Sequence, residues 1–202
     1  MEGKETEPRY FDCFKTDREA DMQIKLVPNP KHKSRPMEVF LRLVDYFRRT
    51  ATRSKDEGWL VIDRDAWSEA ELDEVCTKAK TEGFFVAMSN PCFELWLYLH
   101  LRTDRPFNGR HDCQKRLEEI LDSYSMDSKG GYDVGALLHG VENAIERAIK
   151  LDLNPDHPWP KSQCTRVYRL VAKLLGRDLD QEAKDAADVK KTRNTTNSRR
   201  RK

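Results

Sequence analysis

Two aspartates separated by one residue are the clearest candidates for chemistry in this sequence. Asp63 and Asp65 come at the end of a short apolar run, WLVID, and strand alternation predicts that both side chains lie on the same side. Two carboxylates this close repel each other unless a cation lies between them. Because their oxygens are hard ligands, Mg²⁺ or Mn²⁺ is favoured over zinc. An Asp-x-Asp alone is a weak signal, since most such pairs only begin a following helix.

The segment around these aspartates has the pattern of a βαβ unit. Trp59–Asp63 is typical of a buried strand, and the sequence Ser-Glu-Ala-Glu at 68–71 is a capping box that begins a helix. A second apolar strand is predicted at Phe84–Met88. The two strands should therefore be parallel neighbours. Ligands of open parallel sheets bind at the carboxyl ends of the strands, where Asp63 and Asp65 are expected.

The rest of the chain divides into an α/β half and a helical half. Alternation in Met22–Val27 predicts another strand, and Pro36 is expected to open a helix that runs to about Arg53. A short helix is predicted at Thr6–Cys13, and an apolar helix follows Pro91. Apolar spacing then predicts helices at about 111–124, 132–151 and 162–175.

Composition limits the class of protein. The 202 residues are 38% hydrophobic and 36% charged, which suits one domain with a helical appendage. No apolar run approaches the roughly 18 residues of a membrane span, and no signal peptide is recognised. Five cysteines without a Cys-x-x-Cys pair indicate reduced thiols, so a cytoplasmic location without membrane contact is predicted.

Positive charge is concentrated at the end of the chain. Residues 184–202 hold eight Lys and Arg against two Asp, so they carry +6 and the remainder carries −4 of the total of +2. Such a tail either contacts nucleic acid or is only a solubilising, disordered end.

Three segments resemble the RloB-like family, in the same order along the chain. They are EGKETEPRYF (Glu2–Phe11), VIDRD (Val61–Asp65) and SNPCFELWLYLH (Ser89–His100), of which the last is the most specific. A weaker fourth match, SQCTRVYRLV (Ser162–Val171), is similar to the family's late Thr-x-Val helix. The resemblance extends to about residue 175 and leaves out the basic tail.

RloB-like proteins look like members of the wider Toprim group, whose site combines a glutamate after the first strand with an Asp-x-Asp after the third. The resemblance therefore implies that Glu2, Asp63 and Asp65 are catalytic and bind Mg²⁺ or Mn²⁺, with Glu2 as ligand or general base. It also implies an α/β fold with a Toprim-like parallel sheet flanked by helices, followed by a mostly helical C-terminal half.

The first Toprim strand is not recognised, because only Met1 precedes Glu2. We expect that the start was assigned too late; the alternative is a protein without its central strand, whose neighbouring strands would have unpaired edges. The predicted divisions are a Toprim-like α/β domain at 1–100, a helical extension packed on it at 101–180, and a basic, disordered tail at 181–202.

The implied activity is hydrolysis of phosphodiester bonds by a nuclease of anti-phage defence, because the family occurs near restriction–modification and abortive-infection genes. Nucleic acid, either DNA or RNA, is the predicted partner, with a companion ATPase and a second copy of the chain as further candidates. Asn90 and Glu94 are candidates for supporting positions around the metal, although Glu94 also suits a helix N-terminus and Asn90 a cap or turn. The candidate phosphate contacts are Lys4, Arg9, Lys31, Lys33, Arg35 and Arg64.

One alternative is a degenerate Toprim-like module that binds nucleic acid or an ATPase without catalysis. A primase or a topoisomerase is less favoured, because the sequence shows neither a zinc module nor room for extra domains.

Overall fold

The sheet that carries Asp63 has three strands among the residues that the computed structural model describes, which are 5–15, 24–29, 34–103, 106–126 and 131–184. Strand β1 (Trp59–Asp63) pairs in parallel with β2 (Phe85–Asn90), with Asp63 opposite Ser89. Strand β3 (Cys164–Thr165) runs antiparallel to the end of β2. The predicted α/β class and the parallel pair are confirmed, whereas the sheet as a whole is mixed.

The helices surround this sheet. Helix α3 connects β1 to β2 and has the complete predicted capping box, because Ser68 Oγ accepts from the Glu71 N–H while Glu71 accepts from the Ser68 N–H. The helices are α1 (Thr6–Asp12), α2 (Pro36–Arg49), α3 (Glu69–Thr81), α4 (Glu94–Leu101), α5 (Gly109–Glu118), α6 (Val134–Leu138), α7 (Val141–Leu151) and α8 (Val167–Leu174). Among the described residues, none of these helices is long and apolar enough to cross a membrane.

The strand predicted at Met22–Val27 is wrong over its described part. Residues 24–29 form no strand, and Leu26 and Val27 are only half-buried, each against a different core. Such a short alternating segment buries its apolar side chains without strand pairing. Pro28, which follows Val27, has no N–H to donate to a neighbouring strand.

Four predicted helices have clearly different bounds. The single helix expected at 132–151 is divided at Gly140 into α6 and α7. The sequence did not indicate this break, because both helices face the same core and the apolar spacing continues through it. The helix expected at 162–175 begins only at Val167, after β3, and the one expected at 111–124 is α5. Helix α2 ends four residues before the predicted Arg53.

The two faces of the sheet bury different cores. Leu60 and Ile62 pack with α2 and α3, whereas Val61 of β1 and Ala87 of β2 pack with α1, α4, α5, α7 and α8. Because side chains alternate along a strand, Asp63 lies on the Val61 face, towards α4 and α5. This face carries the candidate site.

Several predicted residues cannot be placed. Glu2, Lys4, Lys31 and Lys33 lie outside the described residues, as does most of the tail, 185–202.

Candidate active site

Asp63 and Asp65 do converge, although not by strand alternation. Strand β1 ends at Asp63, and Asp65 has a positive φ of 40°. This left-handed conformation is uncommon for residues other than glycine but is tolerated better by aspartate. The Arg64 N–H donates to the Ser89 carbonyl at 2.7 Å, which holds the turn after β1 beside the end of β2. The chain therefore leaves the sheet in a sharp turn between the two carboxylates.

Arg110 is the cation that joins them. Its Nη2 lies 3.0 Å from Asp63 Oδ2, and its Nη1 lies 3.1 Å from Asp65 Oδ2. The Asp63 side chain is only 5% exposed, whereas Asp65 and Arg110 are 38% and 33% exposed. One planar guanidinium therefore bridges a buried carboxylate and a half-exposed one, in the geometry for which arginine is suited.

Sequence reasoning missed Arg110. The repulsion between the aspartates predicts a cation, but Arg110 lies 47 residues away from Asp63 at the start of α5, in a segment with no recognised motif. The repulsion between the two carboxylates predicts only that a cation lies between them, and it does not distinguish a metal ion from a basic side chain.

The charges around Arg110 stabilise its charged form. Burial alone would lower the pKa of Arg110, but the neighbouring Asp63, Cys92, Glu94 and Asp65 more than offset this, and the pKa is raised. The guanidinium therefore lies in an environment where negative groups outnumber it.

Glu94 is a buried carboxylate of the same environment. It is the first residue of α4 and only 3% exposed. Its Oε1 accepts from Gln114 Nε2 at 2.9 Å and from the Tyr124 hydroxyl at 3.2 Å. Within the described part of the chain, Oε2 has no hydrogen-bond partner. Buried carboxylate oxygens are normally satisfied, so Oε2 is an unusual acceptor among the described residues.

Two thiols also lie beside this cluster. Cys92 and Cys113 are fully buried, and burial, contact with Cys113 and the nearby Glu94 raise the pKa of Cys92 well above its usual range. The raised pKa keeps the Cys92 thiol protonated, which makes it a poor metal ligand in this state.

Asn90 is the last residue of β2, and its side chain joins this strand to the loop before β3. Its side-chain Nδ2 donates to the Pro160 carbonyl at 3.0 Å and, more weakly, to the Lys161 carbonyl at 3.3 Å. Asn90 does not cap α4, whose N-cap is Phe93. The preceding residue of β2, Ser89, shares a 2.8 Å hydrogen bond between its Oγ and Thr165 Oγ1, which joins β3 to the end of β2. Thr165 belongs to the late Thr-x-Val segment.

The three described phosphate candidates already have partners. Arg64 donates to the carbonyls of Asp65 and Trp67, and Arg9 donates to the Tyr132 carbonyl at 3.0 Å. Arg35 is the most open of them, with its side chain 64% exposed and Glu71 at 3.7 Å. Only Arg64 belongs to the turn between the aspartates, where its hydrogen bonds stabilise the backbone.

The oxygen donors of this cluster are carboxylates. Among the described residues no three His, Cys, Asp or Glu side chains are already grouped as a metal site. However, Asp63 and Asp65 point at one cation, and Glu94 has an unsatisfied oxygen near that cation. Oxygen ligands of this kind suit Mg²⁺ or Mn²⁺, which usually take one or two carboxylates.

The comparison with protein families agrees with the motifs. The family model described as RloB-like protein matches residues 1–174, and this match ends at the last residue of α8. It confirms the resemblance predicted from the three segments, including the exclusion of the basic tail. No curated protein and no solved structure matches the chain.

Proposed function

Because this chain belongs to the RloB-like protein family, we propose that it is a Mg²⁺- or Mn²⁺-dependent nuclease that hydrolyses phosphodiester bonds. The observation that carries this proposal is the convergence of Asp63 and Asp65 on one cation at the carboxyl end of β1. Ligands bind at this end of parallel strands, and paired carboxylates there serve phosphoryl chemistry.

The residues divide the work between them. Asp63 is held rigidly by the strand and is the anchoring ligand, while Asp65 lies on the solvent side and meets the substrate first. When bound, a divalent ion supplies positive charge to a phosphate oxygen and acidifies a water. Glu2, as the family's expected glutamate, is proposed as a further ligand or as general base.

The finer assignments belong to the same proposal. We infer a Toprim-type site, a nucleic-acid substrate, a role in anti-phage defence in the cytoplasm, and a companion ATPase or a second copy of the chain as partner. They are supported by the family's motifs, of which VIDRD coincides with β1 and its turn, and SNPCFELWLYLH with the end of β2 and α4. The matched residues therefore surround one edge of the sheet.

A non-catalytic module is the second candidate function. The observation that favours it is that Arg110 already bridges both aspartates, which reduces their mutual repulsion without a metal ion. In that case the fold would bind nucleic acid or an ATPase, and Asp63 and Asp65 would only hold α5 against the sheet.

The test compares aspartates inside and outside the site. We expect Asp63→Asn and Asp65→Asn to abolish Mg²⁺- or Mn²⁺-dependent cleavage of DNA and RNA. Asp45→Asn should leave cleavage unchanged, because Asp45 is exposed and pairs only locally with Arg49 at 2.7 Å. Circular dichroism verifies folding of each variant. Full cleavage by a folded Asp63→Asn protein would contradict the site, and absence of cleavage by the wild type under all conditions would favour the second candidate.

A further inference from the structure

The position of Arg110 suggests more than a static ion pair. Its side chain contacts the nearly buried Asp63 carboxylate and is itself one-third exposed. Any cation that approaches Asp63 and Asp65 from the solvent side must therefore compete with this guanidinium.

We propose that Arg110 is a phosphate-binding residue that Asp63 and Asp65 hold until a divalent cation replaces it. This inference rests on the proposed function. When the cation occupies the two carboxylates, the guanidinium swings out towards solvent and contacts a phosphate of the nucleic acid. Arg110 is thus both the competitor of the metal and a substrate-binding residue.

The local charges favour such an exchange. Asp63 and Asp65 together carry two formal negative charges against the single positive charge of Arg110. Glu94 is close enough to act on Arg110 as well, and its Oε2 has no partner among the described residues. A divalent cation would balance this group better than a guanidinium does.

The released side chain is suited to phosphate. A guanidinium presents paired N–H donors that match phosphate oxygens as well as carboxylate oxygens, so it can exchange one for the other without changing its own geometry. Arg110 is the second residue of α5 and follows Gly109, which has a positive φ of 80°. Arg64, the arginine of the turn between the aspartates, is occupied by backbone carbonyls.

The first experiment measures metal binding rather than activity. Mn²⁺ is titrated calorimetrically into the full-length chain and into Arg110→Gln, Arg110→Lys and Arg116→Gln. Arg116 is the matched control, since it lies on the same helix with a side chain 34% exposed but pairs with Asp112 instead. If Arg110 occupies the carboxylates about nine-tenths of the time, its removal should lower the Kd for Mn²⁺ by about tenfold. Arg116→Gln should match the wild type.

Arg110→Lys guards against loss of folding in Arg110→Gln. Lysine retains one positive charge but lacks the fork that holds both carboxylates, so we expect a smaller decrease in the Kd for Mn²⁺. Either variant binding Mn²⁺ no more tightly than Arg116→Gln would overturn the proposal.

The second experiment tests the contact with phosphate. Binding of short DNA and RNA oligonucleotides is measured by fluorescence anisotropy in Ca²⁺ over a series of salt concentrations. Loss of one phosphate contact in Arg110→Gln should weaken binding uniformly across sequences and reduce the salt slope by about one. An unchanged slope, with tighter Mn²⁺ binding, would show that Arg110 only excludes metal and would overturn its role at the substrate.

These outcomes are distinct from failure of the proposed function. If Mn²⁺ binds equally to the wild type and to Asp63→Asn, the aspartates are not a metal site, and both proposals are wrong. If binding depends on Asp63 but not on Arg110, only the present inference is wrong.

Discussion

Asp63 is nearly buried at the end of β1, so a neighbouring cation stabilises its negative charge. In the structure that cation is Arg110, which lies 3.0 Å away and also contacts Asp65. Removing Arg110 would take one positive neighbour from this nearly buried charge, which is unfavourable.

His100 is the residue whose protonation should limit stability in acid. Its Nδ1–H donates to the Trp96 carbonyl, so Nε2 accepts from the Tyr10 hydroxyl and the ring is neutral. Burial lowers the pKa of His100 from 6.5 to about 4. The unfolded chain therefore binds a proton more readily than the folded one between these values, so the contribution is complete above pH 6.5 and is lost as the pH falls towards 4.

We expect the free energy of unfolding to fall by roughly 1.5 kcal/mol from His100 alone between pH 6.5 and about 5. Urea denaturation at a series of pH values measures this slope, which should be lost in His100→Gln. His111→Gln is the control, since His111 is exposed and should leave the slope unchanged. An equal slope in wild type and His100→Gln would contradict a neutral, buried imidazole.

At the scale of elements, the βαβ unit was the most predictable part of the fold. WLVID forms β1 with the predicted bounds, and the capping box begins α3 at the expected residue. Both signals are local, because a cap depends on residues three apart and a buried strand on its own apolar run. Strand β3 has only two residues and depends on pairing with β2, so no local pattern indicated it.

Gly140 is where the predicted long helix is interrupted. A Cβ at this position would lie 2.6 Å from the carbonyl oxygen of His100, which belongs to α4 and cannot move independently. Gly140→Ala should therefore reduce the free energy of unfolding by about 1–3 kcal/mol through overpacking.

Gly135→Ala is the matched control for that substitution. A Cβ at Gly135 meets only the side chain of Asp133, at 3.2 Å, and alanine favours the helix. Its effect in urea denaturation should be smaller than that of Gly140→Ala. Equal stability of the two variants would contradict the inference that the close contact between α4 and the α6–α7 junction excludes a side chain at Gly140.

At the scale of the molecule, the predicted α/β and helical divisions share one hydrophobic core. Val61 and Ala87 of the sheet belong to the same buried cluster as Leu117 of α5, Ile145 of α7 and Val171 of α8. Helix α4 is buried from Glu94 to His100 because it lies between the two divisions. Residues on both sides of the boundary predicted near residue 100 therefore pack into the same core.

We expect one cooperative unfolding transition for this reason. Ile145→Ala removes a fully buried side chain of α7 and should lower the free energy of unfolding by about 2–5 kcal/mol. Tryptophan fluorescence and far-ultraviolet circular dichroism should move together. Leu153→Ala, at a residue 71% exposed, should have little effect. Separate transitions for the two signals in Ile145→Ala would show that the divisions unfold independently.

The sequence by itself determined the family, the parallel strand pair, and the two aspartates at the end of β1 and in the turn that follows it. These features depend on short apolar runs, caps and motifs whose residues are close together along the chain. The tertiary structure decided which cation joins those aspartates, because Arg110 is 47 residues from Asp63 and meets it only when α5 packs against the end of β1. It also decided that Glu94 Oε2 has no hydrogen-bond partner within the described ranges, since hydrogen-bond satisfaction depends on every neighbouring element at once.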